Sequence, residues 1–177
     1  MKVLFVSYAF LVNVVTPCSV KAEFNVTTVI IVRHAEKENT LGANPSLSEV
    51  GKARAALLRR MLSESGITAI YVTEFVRTQE TAQSLAQQLG LTVTQINASD
   101  VQKLVDNLLV INSGKTILVV GHSDTIPEIV NKLGGGTISP IGESELDNLF
   151  VVAVHKKGEA KVLKLKYGAK SSLPMGS

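Results

Sequence analysis

The chain has 177 residues, 45% apolar and 19% charged, the size and balance of one ordinary globular domain that can bury a core. A net charge of +3, 5% aromatics and no Trp speak against nucleic-acid binding, which calls for a strong basic patch and stacking surfaces. The one cysteine, Cys18, excludes an intrachain disulfide framework and any multi-cysteine metal site.

Residues 1–22 read as a secretory signal peptide. Lys2 gives a short positive start, Val3 to Val15 is uncharged and apolar, Pro17 breaks the run, and Val20-Lys21-Ala22 offers a cleavage site. The run is too short for a comfortable transmembrane span. Cleavage after Ala22 removes Lys2, Lys21 and Cys18. It leaves residues 23–177 as one cysteine-free domain of net charge +1, with no membrane anchor. Such a chain suits an exported protein, periplasmic or secreted, that does not rely on disulfides. Lipidation at Cys18 is the lesser alternative, because Pro17 directly precedes it. Asn25-Val26-Thr27 and Asn97-Ala98-Ser99 match the glycosylation acceptor, which matters only in a eukaryotic pathway.

Strand-like and helix-like segments then alternate. Val26 to Val32 is a continuous apolar, β-branched run, as in a strand covered on both faces. After a polar stretch, Ser46 and Glu49 stand at capping-box spacing, and Val50, Ala53, Leu57, Leu58, Met61 and Leu62 form one helical face up to Gly66. Ile67 to Val72 is a second strand. Arg77 to Leu89 is a second helix, closed by Gly90. Leu91 to Ile96 is a short strand, Ser99 or Asp100 caps a third helix with the stripe Val101, Leu104, Val105, Leu108 and Leu109, and Thr116 to Val120 is a buried fourth strand. A tight turn, Gly121 to Asp124, leads to a short helix with Pro127 near its start and Gly134-Gly135-Gly136 at its end. Residues 137–148 read as a loop. Leu149 to Val154 and Val162 to Tyr167 read as a hairpin, with Leu163, Leu165 and Tyr167 turned to the core and the lysines to water; residues 168–177 are expected to be loose. This order implies an α/β domain of three layers, a mostly parallel central sheet with helices on both faces and an antiparallel edge strand.

In such a sheet ligands bind beyond the carboxyl ends of the strands. Three polar segments stand at those ends: Arg33-His34-Ala35-Glu36 after the first strand, the stretch Thr73 to Ala82 containing Arg77 after the second, and Gly121-His122-Ser123-Asp124 after the fourth. Two guanidinium forks match phosphate oxygens, and their charge keeps a neighbouring imidazole neutral and nucleophilic. That imidazole can attack phosphorus and form a phosphohistidine, while a second histidine steadies the transferring oxygens.

Arg33-His34-Ala35-Glu36, Arg77-Thr78-x-x-Thr81-Ala82 and Gly121-His122-Ser123 resemble the motifs of the histidine phosphatase superfamily, the phosphoglycerate mutase-like group. Leu47-Ser48-Glu49-x-Gly51 and Glu145-Leu146-Asp147-Asn148-Leu149 resemble two further segments of it, so the likeness runs from about Val29 to Val154. It implies that His34 is the phosphorylated nucleophile, that Arg33, Arg77 and His122 bind the phosphoryl group, and that neither metal nor cofactor is needed. The general acid departs from the family pattern. Leu91 to Leu109 holds no Glu, and Ser123 separates His122 from Asp124. Asp124 is the first candidate and Glu36 the second. A missing acid would favour good leaving groups such as phosphohistidine or acyl phosphates over alkyl phosphate esters.

Other readings weigh less. Two buried core histidines rarely sit at two strand ends at once. Zinc on His34, His122 and Asp124 is opposed by the charge of Arg33. Glu36 and Glu74 read first as rim acids, His155 as surface, and Lys161, Lys164 and Lys166 as protection of an edge strand. A mutase would need more chain than the segment from Glu36 to Ser46 offers for closing over its substrate. A silent phospho-ligand binding module is the alternative from another class. The expected partner is a phosphorylated small molecule or, for an exported enzyme, a phosphorylated envelope sugar.

Overall fold

The computed structural model describes residues 25–156 and 158–170; the expected signal peptide, Cys18 and most of the expected tail lie outside them. The elements are β1 (Thr27–Arg33), α1 (Glu49–Leu62), β2 (Ile67–Val72), α2 (Val76–Leu89), β3 (Val93–Gln95), α3 (Val101–Asp106), β4 (Thr116–Gly121), α4 (Thr125–Val130), β5 (Asn148–Lys156) and β6 (Glu159–Lys166). The helices α3 and α4 each run on into one π-helical turn. One sheet orders the strands β3-β2-β4-β1-β5-β6. The first four are mutually parallel, β5 runs antiparallel to β1, and β6 closes the edge as the second arm of the hairpin.

The period of two along β1 and β4 sorts the core into two layers. Val29, Ile31, Ile117 and Val119 face α3 and α4, packing on Val105, Leu108, Ile126 and Ile129. Ile30, Val32, Leu118 and Val120 face α1 and α2, packing on Leu58, Leu62, Ala82 and Leu85. Helices therefore cover both faces, as the uninterrupted apolar runs imply.

Three local expectations are corrected. The cap of α1 is Ser48, whose hydroxyl accepts from Gly51 N–H, not Ser46. Leu47 is drawn into the core and paired in a bridge with Lys37, so the chain stays extended until Ser48. The inner face of α1 is rotated, burying Gly51, Arg54, Ala55, Leu58 and Leu62, while Val50 and Met61 are exposed. What turns it is Arg54. Its guanidinium holds the Glu36 carboxylate at 2.7 and 3.0 Å and donates to the carbonyls of Tyr167 and Ala169, both at 2.9 Å. On β6, Tyr167 just beyond its end reaches the core, whereas Leu163 and Leu165 stay largely exposed. The face of β6 that carries Leu163 and Leu165 is left open, whereas Val162 on its other face packs against the π-helical turn after α4.

Gly51 marks where α1 touches the loop after β1. A Cβ at this position would run into the backbone carbonyl of Glu36. Gly51→Ala should therefore destabilise the fold by about 1–3 kcal/mol despite the better helix propensity of alanine. Urea unfolding measures the loss; an unchanged midpoint would mean that the contact yields freely.

Candidate active site

The parallel pairing of β1 and β4 places Arg33 opposite Gly121, and His34 N–H donates to Gly121 O at 3.0 Å. His34 and His122 thus leave adjacent strands at the same level, with ring centroids 5.4 Å apart. Gly121 is needed at this turn, since a Cβ there would press on the Thr125 hydroxyl, which accepts from His122 N–H at 2.9 Å. Arg77 arrives from the first turn of α2, which follows β2 on the other side of β4. Arg33, His34, Arg77 and His122 all line one open cavity of about 670 Å³, together with Asp124, Glu74 and Glu143.

Each histidine is held in a defined orientation. His34 Nδ1 lies 2.8 Å from Ala35 O. A carbonyl only accepts, so Nδ1 carries the proton and Nε2 keeps its lone pair. His122 Nε2 lies 2.9 Å from the Thr73 hydroxyl, and its ring stands edge-on to Phe75. Burial first, then the nearby guanidinium charges of Arg33 and Arg77, push the His34 pKa down to about 3. Burial and then Arg77 push His122 down to about 4, against the opposing pull of Asp124 and Glu74. Both rings are neutral near pH 7.

The arginines carry unused donors. Arg77 lies over the Phe75 ring, 4.3 Å from its centroid, and its Nε–H is buried with no hydrogen-bond partner among the described residues. Arg33 Nε–H is likewise buried and unpartnered. The outer end of Arg33 is occupied: Nη1 donates to Gly142 O at 3.0 Å and Glu143 O at 2.8 Å, and Nη2 to Glu143 Oε2 at 2.8 Å. Two unpaired buried donors beside two neutral imidazoles match the acceptor oxygens of a tetrahedral oxyanion.

The expected residues Arg33, His34, Arg77, His122 and Asp124 come together here. Asp124 also caps α4, accepting from Thr125 N–H at 2.8 Å. Glu36 does not reach the cavity. Burial raises its carboxyl, but the hydrogen bonds and charge of Arg54 outweigh this and hold it below the ordinary value. It is a structural partner of Arg54, so the second choice of acid lacks a geometric basis. Among the described residues no three or more His, Cys, Asp or Glu side chains are grouped to hold a metal ion.

The stretch after β2 does more than supply Arg77. The Thr81 hydroxyl accepts from Ala35 N–H at 3.0 Å and donates to Arg77 O at 2.7 Å, tying the loop after β1 to α2. Thr78 packs its hydroxyl against Thr73, which in turn orients His122. Glu80 accepts from Leu47 N–H at 2.6 Å. The sequence signal for these roles is the spacing of Thr78 and Thr81 around Arg77 on one turn of α2. Glu143 was also outside the expected set, although its loop leads directly into β5, which pairs Leu149 with Val32 at the cavity end of β1.

Residues 29–100 match the model of the histidine phosphatase superfamily (branch 1). The fold is similar to that of the protein histidine phosphatase SixA solved with tungstate, at 19% identity and TM-score 0.67, over 78% of this chain and 96% of that one. It is similar to the mycobacterial glucosyl-3-phosphoglycerate phosphatase, at 13% identity and TM-score 0.63, over 83% and 100% of the two chains. A mycobacterial hydrolase matches at 12% identity and TM-score 0.62, over 82% and 99%. Among curated proteins no sequence matches.

The depressed histidines make stability pH-dependent. Below an ordinary value of 6.5, the unfolded chain takes up protons that folded His34 and His122 refuse until about pH 3 and 4. Stability from this source is full above about pH 6.5 and is lost as the pH falls toward 4. The melting temperature of the wild type should therefore drop more between pH 7 and pH 4.5 than that of a His34→Asn/His122→Asn double variant. Equal drops by calorimetry would show that the rings are not held neutral.

Proposed function

We propose that this chain, whose residues 29–100 match the model of the histidine phosphatase superfamily (branch 1), is a phosphatase of that superfamily working through a covalent phosphohistidine on His34. One observation carries the reading: a neutral imidazole with its Nε2 lone pair free stands beside two arginines whose buried Nε–H groups have no partner. A phosphoryl group supplies the missing acceptors. SixA and the glucosyl-3-phosphoglycerate enzyme, similar in fold, are themselves phosphatases by name.

In the proposed reaction His34 Nε2 attacks phosphorus in line, and the bond to the leaving oxygen breaks with its electron pair going to that oxygen. Asp124, acting as the general acid, gives a proton to the leaving oxygen. Water then attacks the phosphohistidine, the P–N bond breaks back to Nε2, and the Asp124 carboxylate takes the proton of the water. Arg33, Arg77 and His122 hold the equatorial oxygens throughout. No metal takes part. The substrate is a phosphorylated small molecule. The layout of residues 1–22 supports export, and with export a phosphorylated envelope sugar becomes the natural substrate class.

Turnover of p-nitrophenyl phosphate is expected to survive excess EDTA and to fall by roughly 10³-fold or more in His34→Ala. Loss of activity on chelation sinks the metal-free mechanism. A wild type that is inactive, yet gains melting temperature with vanadate, is a binding module instead. Asp124→Asn should lower turnover of an alkyl phosphate about 10²-fold and that of p-nitrophenyl phosphate much less, because only the alkoxide needs an acid. A larger effect of Glu74→Gln in the same assay would move the acid to Glu74.

A further inference from the structure

Glu143 has no part in the reaction as written, yet it makes the closest side-chain contact with Arg33. A guanidinium has five N–H donors. Gly142 O and Glu143 O take both donors of Nη1, and Glu143 Oε2 takes one of Nη2. What remains is Nε–H, buried and unpartnered, and the second Nη2–H beside it. These two lie along one edge of the planar group, a two-toothed fork of the shape that grips a phosphoryl group. The Arg33 side chain is only 5% exposed, while that of Glu143 is 78% exposed at the mouth.

The loop that brings Glu143 is itself fixed. Glu145 accepts from Gly142 N–H and donates its own N–H to Gly142 O, both at 2.9 Å. The Ser123 hydroxyl, beside His122, reaches Glu143 Oε1 at 3.4 Å. The ion pair with Arg33 also answers one of the two arginine charges, leaving Arg77 as the arginine of the cradle without an ion-pair partner among the described residues. The cavity lining sets three carboxylates, Glu74, Asp124 and Glu143, against Arg33, Arg77 and Lys37.

We propose that Glu143 is a positioning and specificity-determining residue: it turns Arg33 so that one edge faces the phosphoryl group, and its charge turns away substrates with a second anionic group beside the phosphoryl. The inference rests on the site being phosphate-binding. The substrates admitted are phosphomonoesters or phosphoramidates whose leaving group is neutral or cationic. Bisphosphates and phosphorylated carboxylic acids are disfavoured.

Equilibrium titrations of inorganic phosphate, phosphocholine and 3-phosphoglycerate test this, in a His34→Asn background so that nothing turns over. The reference protein should bind phosphocholine at least fivefold more tightly than 3-phosphoglycerate. Glu143→Gln keeps an acceptor for Arg33 and removes the charge, so phosphate should bind no more weakly than to the reference protein while the preference shrinks roughly fivefold, the effect of one like charge a few ångströms away in a wet mouth. Glu143→Ala frees Arg33 as well and should weaken phosphate binding about tenfold. A preference unchanged in Glu143→Gln, or phosphate affinity unchanged in Glu143→Ala, overturns the proposal. Binding in the expected pattern by a protein that hydrolyses no p-nitrophenyl phosphate refutes the phosphatase reading alone. Failure to bind any of the three anions refutes both.

Discussion

Everything at the site depends on the parallel pairing of β1 with β4. Their registers end together, so that the amide of His34 closes onto Gly121 O and two histidines emerge side by side from adjacent buried strands. Slipping that register by one residue would exchange the two core layers and carry both imidazoles out of reach of each other. The apolar runs that cover both faces therefore do more than stabilise the sheet. They fix the separation of the two imidazoles, with the rigidity of a packed core rather than of a loop.

Gathering two arginines around two histidines sets like charges close together and is unfavourable by itself. It is held by neighbours that have no chemistry of their own. Thr73 and Thr78 hold His122, Thr81 joins Ala35 to the carbonyl of Arg77, and Phe75 lies under the Arg77 guanidinium. Neutral hydroxyls suit this work because they orient a ring or a turn without adding to or cancelling the cationic field. Burial first, and that field second, keep His34 unprotonated with a free lone pair.

Much of this was legible in the sequence. Buried runs announce strands by composition, and Arg33, His34 and His122 are abrupt polar endings to such runs, which places them at one end of a sheet without further information. Arg77 was legible from its place in the polar stretch that follows the second strand. Glu143 was not, because its role depends on which loop the reversed strand β5 brings back beside β1, a matter of topology and not of local pattern. The rotation of α1 was hidden for a similar reason. A face chosen by hydrophobicity passes over Arg54, whose burial is compensated by partners far along the chain. The edge strand misled in the opposite sense, since alternation along β6 says which side each residue takes but not whether anything covers it.

The clasp made by Arg54 has a bearing on how the molecule comes into being. Its guanidinium grips Glu36, two residues after His34, and also the carbonyls of Tyr167 and Ala169, 113 and 115 positions beyond Arg54. The segment that carries His34 is thus buttressed by residues that follow the last strand of the sheet. A growing polypeptide can assemble β1, α1 and β2 early, but it gains this brace only after β6 has been made. Full support of the His34 loop therefore comes late in folding, and a fragment cut short before Tyr167 loses two of the acceptors that steady it.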